Sequence, residues 1–491
     1  MNNPQQDSTD VTRKTLPPDG KVNNAKFKIN LFVLFPWFKK ICKWRSIQFL
    51  LVFPTMVIFL FFLYAGLFGS RVGNRNIIVI FVWILWWFLL ITFMVPFASR
   101  VWCFVCPFPF FGEWFQRGAL IKVRVGKMLG LRNKMFGLNK RWPKFLTNIW
   151  LQNILFLAMC TFSAMFLTRP VVSVLILGGL FVAATFLSMI YRQRAFCMYV
   201  CPVSGFQGLY AMTSMIELRA TDKEVCRKTC KTKNCLTGSE EGWACPWFQY
   251  MGKMERNNYC GLCMECVKSC PNDNISLNVR PFCGDTLIKG YDEAWKSFIM
   301  LALAMVYSVT LLGPFGTIKD WANVAETGNW KGFSIYAGII WFTALVGIPF
   351  VWYLASRLGR FLSGTNEVST KDIFIRYSYM LVPLGLLAWI AFSFPLIMIN
   401  GSYIISIISD PLGWGWDLVG TAHVPWKPIF SQYTAHVQIP LLLLGLYFAI
   451  KRGYDISLTL YQNKSRAARS LIPVVVVCTA MILAFLKLFT G

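Results

Sequence analysis

Long apolar segments recur along this chain of 491 residues, and shorter polar connections separate them. A helix needs about 20 consecutive apolar residues to cross the hydrocarbon layer of a bilayer. The chain is 56% hydrophobic and 16% aromatic, which is more than an ordinary soluble protein contains. We therefore predict an all-α polytopic membrane protein with about nine spanning helices, at about 47–69, 76–97, 148–167, 171–190, 297–313, 333–354, 377–399, 434–450 and 471–489.

Basic residues are distributed unevenly between the connections. They give the chain a formal net charge of +27 and gather in alternate connections of the nine-helix scheme. Cytoplasmic loops of membrane proteins carry such an excess, so we expect the N-terminus inside and the C-terminus outside. The same alternation argues against nucleic-acid binding. The basic clusters lie at 13–45, 116–144, 192–194, 219–233, 357–376 and 451–469.

The connection between the fourth and fifth predicted helices is long enough to form a domain, and the charge pattern places it in the cytoplasm. The chain begins polar and basic, without the apolar stretch of a signal peptide, so we expect no cleaved leader. We expect the aromatic and basic end of this first segment to lie along the inner headgroups. The predicted order is a cytoplasmic basic segment at 1–45, a membrane domain at 46–216, a cytoplasmic domain at 217–294 and a second membrane domain at 295–491.

Eight cysteines crowd into the stretch from Cys226 to Pro271, which we call the cysteine segment. In bacterial ferredoxins three closely spaced thiolates bind one iron–sulfur cube, and a fourth, before a proline, binds a second cube. The later half of the cysteine segment has that spacing, and the earlier half supplies four more cysteines. The pattern predicts a bacterial-ferredoxin-like module with two [4Fe–4S] clusters. The later motif is Cys260-x2-Cys263-x2-Cys266-x3-Cys270-Pro271, and the earlier one is Cys226-x3-Cys230-x4-Cys235 followed by Cys245-Pro246.

The exchanged fourth ligand divides these thiols into two sets. The first thiol set is Cys226, Cys230, Cys235 and Cys270, and the second thiol set is Cys245, Cys260, Cys263 and Cys266. Structural zinc and a disulfide framework are the alternatives, because Cys-x2-Cys pairs also suit tetrahedral zinc. A cytoplasmic location favours thiolates over disulfides. The proline that closes both halves favours iron–sulfur clusters over zinc.

Two further cysteine pairs follow the second and fourth predicted helices. The stretches from Arg100 to Pro107 and from Arg194 to Pro202 each begin with arginine and end in two cysteines and a proline. We interpret them as an internal repeat that brings two Cys-Pro corners together at the cytoplasmic face. A metal ion or third iron–sulfur centre, a redox dithiol, and packing as small apolar side chains are the possible roles. These corner thiols are Cys103, Cys106, Cys197 and Cys201.

The chain has two histidines, and both lie in the predicted outer connection before the eighth helix or at its start. His423 follows Asp417 in a tryptophan-rich loop, and His436 lies in Thr434-Ala435-His436-Val437. Imidazoles at a membrane boundary suit haem, copper or a quinol head group, or they belong to an aromatic belt. No Cys-x-x-Cys-His motif occurs, so the sequence does not support covalently attached haem.

With these motifs assembled, the chain resembles the membrane-bound polyferredoxins of anaerobic respiration, of the NapH/NosR/CcoG type. In that family two Cys-x3-Cys-Pro corners near the inner membrane surface precede a cytoplasmic module with two [4Fe–4S] clusters. Cys197-x3-Cys201-Pro202 matches the corner motif, and Cys103-x2-Cys106-Pro107 is one residue shorter. The resemblance covers about 47–313 and leaves no room for the flavin-binding N-terminal domain of some members. It implies a bacterial inner (plasma) membrane protein.

The resemblance implies electron transfer between the quinone pool or a cytoplasmic donor and a respiratory oxidoreductase. We expect an electron-transfer subunit rather than a stand-alone enzyme. One alternative is an assembly or copper-handling factor that uses the Cys-Pro corners, and another is a quinone-reactive oxidoreductase subunit that uses His423 or His436. Expected partners are membrane lipid, the quinone/quinol pool or a cytoplasmic donor, and other respiratory-complex subunits. A transporter is disfavoured because the predicted helices hold almost no ionisable residues.

Overall fold

The computed structural model describes residues 28–117, 137–166, 169–312 and 316–490. The polar beginning of the predicted N-terminal segment and most of the basic cluster at 116–144 lie outside the described residues. The described chain is mostly helical, with one small sheet.

Eight helices of the described chain are long and apolar enough to cross a membrane, as a multi-pass membrane protein requires. Each overlaps a predicted span. The predicted span at 148–167 is also helical, but its apolar part, Trp150–Ser163, is shorter than the other eight. In chain order the spanning helices are α2 (Ile47–Phe68), α3 (Ile77–Ala98), α7 (Pro170–Ile190), α11 (Tyr291–Leu311), α12 (Trp330–Ser363), α13 (Thr370–Asn400), α15 (Ser431–Leu460) and α16 (Lys464–Phe489).

Shorter elements connect or precede these helices. The labelled ones are β1 (Ile29–Asn30), α1 (Pro36–Lys43), α4 (Val101–Val105), α5 (Phe110–Arg117), α6 (Trp150–Phe166), α8 (Ala195–Tyr199), α9 (Pro202–Tyr210), β2 (Ile216–Ala220), α10 (Glu265–Ser269), β3 (Ile275–Val279) and α14 (Tyr403–Ser409). Further short helical segments occur at Leu31–Leu34, Asn234–Thr237, Gly316–Ala322 and Val324–Thr327.

The chain forms two compact units. The first comprises described residues within Met1–Leu60, Met94–Gln152 and Gly178–Asp285, and the second comprises those within Phe61–Phe93, Asn153–Leu177 and Thr286–Gly491. The cysteine segment and all four corner thiols belong to the first unit. The domain borders predicted from the sequence remain a prediction.

Helices α11 and α13 form the centre of the second unit. In each, 72% of the residues of the apolar stretch are buried, against 22 to 39% in the other six spanning helices. Side chains tie them together: the Trp389 indole N–H donates to the carbonyl of Met300 at 2.9 Å, and the Tyr307 ring lies against Trp389 and Phe392. The outer helices leave more apolar surface uncovered, as contact with lipid would require.

A three-stranded antiparallel sheet of the first unit lies beside the cysteine segment, in the order β1, β3, β2. Strand β2 pairs with β3 over five residues, and β1 adds Ile29 opposite Val279. Successive side chains of a strand point to opposite faces. Leu218 and Leu277 accordingly pack in a core that also holds cysteines of both thiol sets. The contribution of β1, from the N-terminal segment, was not predicted.

The charged side chains of β2, Glu217 and Arg219, belong to a buried charge network. Arg280 donates from Nη1 to Glu217 at 2.9 Å and from Nη2 to Asp285 at 2.9 Å, while Arg219 lies 3.2 Å from Asp285. Burial alone would raise the pKa of Asp285, but Arg280 and Arg219 hold it below its ordinary value. Lys28, just before β1, reaches Glu217 at 2.7 Å. The network therefore joins three distant parts of the chain.

We predict that Asp285→Asn lowers the free energy of unfolding by about 3–5 kcal/mol at neutral pH, because it leaves two buried guanidinium groups underpaired. The carboxylate contributes fully above its ordinary pKa of 3.8, and that contribution is lost as pH falls through the lower folded-state pKa. The difference between variant and wild type should therefore shrink below about pH 4. Thermal unfolding in detergent, followed by circular dichroism, measures both effects.

Asp273→Asn is the matched control. Asp273 also pairs with two cations, Lys39 at 2.5 Å and Lys43 at 2.8 Å, but its side chain is half exposed. Its loss should cost less than about 1 kcal/mol. Equal stabilities of the two variants would contradict the role given to the buried network.

Candidate metal centres

The first thiol set comes together around the end of α10. Burial raises the pKa of Cys235 to about 11, and Cys226, Cys230 and Cys270 are close enough for their negative charge to raise it further. Burial likewise raises the pKa of Cys226, with Cys270 and Cys230 adding to the effect. These mutual effects join the four cysteines that the spacing assigns to one cluster.

Asn274 ties two members of the first thiol set to β3. Its side-chain amide donates to the Cys226 sulfur at 3.4 Å, and its backbone N–H donates to the Cys270 sulfur at 3.3 Å. Hydrogen bonds to sulfur stabilise thiolates and influence the reduction potential of iron–sulfur clusters. Asn274 is therefore a positioning residue for this set that the sequence analysis did not single out.

The second thiol set is more deeply enclosed. Burial raises the pKa of Cys266 well above its ordinary value, and Cys263, Cys260, Cys245 and, from the first thiol set, Cys235 act in the same direction. Burial also raises the pKa of Cys245, again with contributions from Cys263 and Cys260. The four cysteines assigned to the other cluster are thus neighbours as well.

A tightly wound loop presents this second set. Leu262 and Met264 have φ values of 49° and 60°, which is the left-handed region, so the backbone reverses direction between successive cysteines. As a result, the N–H of Leu262 faces Cys260 and the N–H of Glu265 faces Cys263. Gly261 packs against the Trp247 indole, where an added Cβ would meet Nε1 at 2.2 Å. Only glycine fits this contact without displacing the tryptophan.

Each thiol set could supply the four ligands of one iron–sulfur cube. No group of three or more cysteine, histidine or acidic side chains in the described chain has the arrangement that could hold one metal ion. In an iron–sulfur cube each thiolate binds a different iron atom, so the ligands need not meet at one point. Ligand type, number and sulfur-directed N–H groups fit two such cubes. Bound metal would convert the buried thiols to thiolates.

The two Cys-Pro corners also come together. Burial raises the pKa of Cys201 to about 12, and the nearby Cys103 adds to this rise. Burial raises the pKa of Cys197 well above its ordinary value, and Cys201, Cys106 and Cys103 act in the same sense. The four corner thiols therefore form one group, as the repeat interpretation predicts.

Matching backbone turns support the interpretation of the corners as a repeat. Ser99 and Gln193, which directly precede Arg100 and Arg194, have φ values of 58° and 50°. A positive φ is uncommon outside glycine, so its recurrence at equivalent positions marks the same turn. Each arginine then begins a short helix, α4 or α8, that carries the first cysteine of its corner.

Arg194 connects the corner thiols with the second thiol set. Its guanidinium donates to the Glu113 carboxylate at 2.6 and 2.9 Å and to the carbonyl of Cys103 at 2.5 Å. Its backbone N–H donates to the carbonyl of Pro246 at 3.2 Å, next to Cys245. Burial alone would lower the pKa of Arg194, but Glu113 raises it above the ordinary value, so the side chain stays charged.

Arg100 makes the equivalent connection from the other corner. It donates to the carbonyl of Asn258 and to the Ser204 hydroxyl, and it lies 3.7 Å from the Cys103 sulfur. Its guanidinium stacks over the Trp247 ring at 4.1 Å. Asn258 and Trp247 each lie two residues from a member of the second thiol set. Both arginines thus hold the corners against the loops of that set.

The sequence analysis noted both arginines as parts of the repeat but missed their partner Glu113. A signal was present, because Glu113 is the only acidic residue between Asp19 and Glu217. An acidic residue that lies alone in a basic and apolar stretch often pairs with a buried cation. A small pocket at this ion pair reaches one corner thiol; it is lined by Gln48, Val52, Cys106, Phe110, Glu113 and Arg194.

The two histidines have separate surroundings. His423 is exposed and lies near Asp417, whose pKa is lowered by the Ser409 hydroxyl, by the N–H of Ala422 and by His423. His436 is also exposed, and its ring is 6.0 Å from that of Tyr433. Neither belongs to a metal-binding group among the described residues. A haem, copper or quinol site at His423 and His436 remains a prediction.

We predict that Glu113→Gln exposes the corner thiols. Loss of the carboxylate charge leaves Arg194 buried without its counter-ion, which weakens its hold on Cys103 and Pro246. Alkylation of Cys103 and Cys106 by iodoacetamide, followed by mass spectrometry, should become several-fold faster.

Glu224→Gln is the control, because Glu224 pairs with Lys228 at 2.9 Å but its side chain is 54% exposed. This variant should alkylate like wild type. Unchanged alkylation in Glu113→Gln would show that the ion pair does not hold the corners.

Comparisons with known proteins do not identify a relative. No protein-family model matches the chain, and no curated protein or solved structure matches it.

Proposed function

We propose that this protein is a membrane-integral iron–sulfur electron-transfer protein. It would pass electrons between the quinone pool or a cytoplasmic donor and a respiratory oxidoreductase. The observation that carries the proposal is the arrangement of the thiols: Asn274 donates to the sulfurs of both Cys226 and Cys270, and Cys245 lies beside Cys260 and Cys263, as the exchanged fourth ligands of the ferredoxin motif require. A zinc site or a disulfide framework would not require Cys270 to lie with Cys226 and Cys235.

The surroundings of the thiols suit electron transfer. An iron–sulfur cube takes up and releases single electrons, and burial, nearby charge and hydrogen bonds to sulfur set its potential. Here Arg219 and Arg100 lie close enough to Cys260 to stabilise negative charge there. Asn274 and Gln249 donate N–H groups to sulfurs of the first and second set, respectively. The protein thus supplies charge compensation for a buried anionic group.

The proposal extends to the family and the location. The corner motifs and the cysteine segment support membership of the membrane-bound polyferredoxins, and the basic connections support a cytoplasmic cysteine segment. A bacterial inner membrane protein with respiratory partners fits these features. Membrane lipid would surround the eight spanning helices.

The corner thiols favour a second activity of the same protein. Three buried thiols and the half-buried Cys106 meet at one place, beside the second thiol set and within reach of a pocket. We propose that they form a reversible dithiol or that two of them hold a copper ion, since no three of the described ligand side chains are arranged around one ion. Either role suits a relay for electrons or an assembly factor that reduces or delivers a metal to a respiratory enzyme.

We predict about eight irons and eight sulfides per chain after anaerobic purification, together with electron paramagnetic resonance signals of reduced [4Fe–4S] clusters. Cys245→Ser should lose only the cluster of the second set and Cys270→Ser only that of the first, so each should retain about four irons. Cys283→Ser is the control, since Cys283 is fully buried but lies outside both sets. Zinc without iron in the wild-type protein would overturn the proposal.

The corner proposal has a separate test. In Cys103→Ser/Cys201→Ser, the eight irons should remain, while either one metal ion per chain or the reversible two-electron dithiol–disulfide step of a redox titration should be lost. Cys160→Ser, which removes a buried cysteine elsewhere, should lose neither. A wild-type protein with no extra metal and no extra reducing equivalents would show that the corner thiols only pack.

A further inference from the structure

The N-terminal segment at 31–45, which we call the docking segment, has two different faces. On the inner face Phe32, Phe38 and Cys42 pack into the core of the first unit. On the outer face Trp37 and Ile41 are 61% and 41% exposed. In α1, residues 37 and 41 fall on one side of the helix, whereas 38 and 42 fall on another. The docking segment is therefore amphipathic, with its second apolar face uncovered by the described chain.

Several hydrogen bonds and ion pairs fix the docking segment to the cysteine segment and to the loop just after it. Lys39 and Lys43 both pair with Asp273, which lies three residues after Cys270. Arg45 donates to the carbonyl of Glu240 at 3.1 Å and lies over the Trp243 ring at 4.7 Å. Strand β1, immediately before the docking segment, is part of the sheet. The docking segment thus contacts parts of the cysteine segment that flank both thiol sets.

The outer face carries an apolar surface that water would not favour. Val33, which precedes α1, is 75% exposed, and Trp44, which follows it, is 52% exposed. Further exposed large apolar side chains of this surface are Leu34 and Phe35. Contiguous apolar surface of this kind marks a binding face for protein or membrane. The exposed Lys40 adds positive charge among these side chains.

The docking segment leads directly into a spanning helix, which identifies the membrane as the partner of its outer face. Helix α2 begins at Ile47, only three residues after Trp44, and Leu50, Leu51 and Phe53 of its first turns are exposed. A chain that enters the bilayer at this point must pass through the headgroup layer just before it. Tryptophan and lysine are the residues that favour that layer. The apolar surface can therefore meet the membrane without another partner.

We infer that the docking segment lies in the headgroup layer of an anionic membrane and attaches the cysteine segment to it. The outer side chains Trp37, Ile41 and Trp44 enter the boundary between headgroups and acyl chains, and Lys40 meets lipid phosphate. The inner face holds the loop after Cys270 through Asp273. The first thiol set is thereby kept close to the membrane surface. This inference concerns a lipid contact and does not depend on which metal the thiols bind.

The test uses the full chain in nanodiscs that contain phosphatidylglycerol. The photoreactive amino acid p-benzoyl-phenylalanine is placed at position 37 or 41, irradiated, and its adducts are identified by mass spectrometry. Both positions should form lipid adducts. Position 38, on the inner face of the same helix, and position 228, whose side chain is 81% exposed on the cysteine segment, should not. Adducts of position 37 with protein alone, or lipid adducts equally strong at position 228, would overturn the inference.

A second measurement distinguishes loss of membrane contact from local misfolding. Trp37→Glu/Ile41→Glu places two charges on the outer face, so amide hydrogen exchange of residues 31–45 in the nanodiscs should become about tenfold faster or more. Lys228→Glu should leave that exchange unchanged. Iron content and thermal unfolding of the same samples report whether the cysteine segment is intact. Unchanged exchange in the double variant would also overturn the inference.

Discussion

A cysteine followed by proline presents its sulfur to backbone N–H groups just downstream, and this turn recurs around all three groups of thiols. The N–H of Ser204 lies 3.4 Å from the Cys201 sulfur, that of Gln249 lies 3.4 Å from Cys245, and that of Asn274 lies 3.3 Å from Cys270. In Cys106 the N–H of Phe108 acts in the same way. Buried sulfur that is to carry negative charge needs such donors, because water cannot reach it. Much of the first unit is arranged to supply them.

Charge compensation follows the same constraint on a larger scale. Arg100 and Arg194 occupy equivalent places in the two corners, and each is bonded to backbone carbonyls next to thiols. Glu113 neutralises Arg194, so the buried group as a whole avoids an unpaired charge. The corners and the second thiol set consequently share a single polar network. A change in charge at one would therefore be felt at the other.

The chain connects the spanning helices to the parts of the first unit that carry or contact thiols at three places. Helices α4 and α8 follow two spanning helices and carry the corners, while the docking segment leads into α2. The sheet receives β1 from the N-terminal segment and β2 and β3 from either side of the cysteine segment. The buried charges of Glu217 and Arg280 lie on one face of this sheet, and the apolar core with the thiols lies on the other. Arg219 of the charge network also lies close enough to Cys260 to stabilise negative charge on its sulfur.

The sequence by itself determined the membrane helices and predicted a partition of the cysteines. Hydropathy predicted the spans because the bilayer imposes length and composition on each helix independently of the others. The ferredoxin spacing predicted that Cys270 joins Cys226 rather than Cys260, because in that motif the cysteine before the proline binds the other cube. The third predicted span, at 148–167, is helical from Trp150 to Phe166 among the described residues.

Only the tertiary structure decided which groups became neighbours across long stretches of chain. Glu113 and Arg194 are 81 residues apart, and no local pattern pairs them. Strand β1 has two residues, far too few for a period-two signal, and its partner in β3 lies about 250 residues away along the chain. Such contacts depend on the burial of charge and backbone groups in a common core. That energy is a property of the folded arrangement, so a lone acidic residue such as Glu113 can mark a buried charge in the sequence without showing its partner.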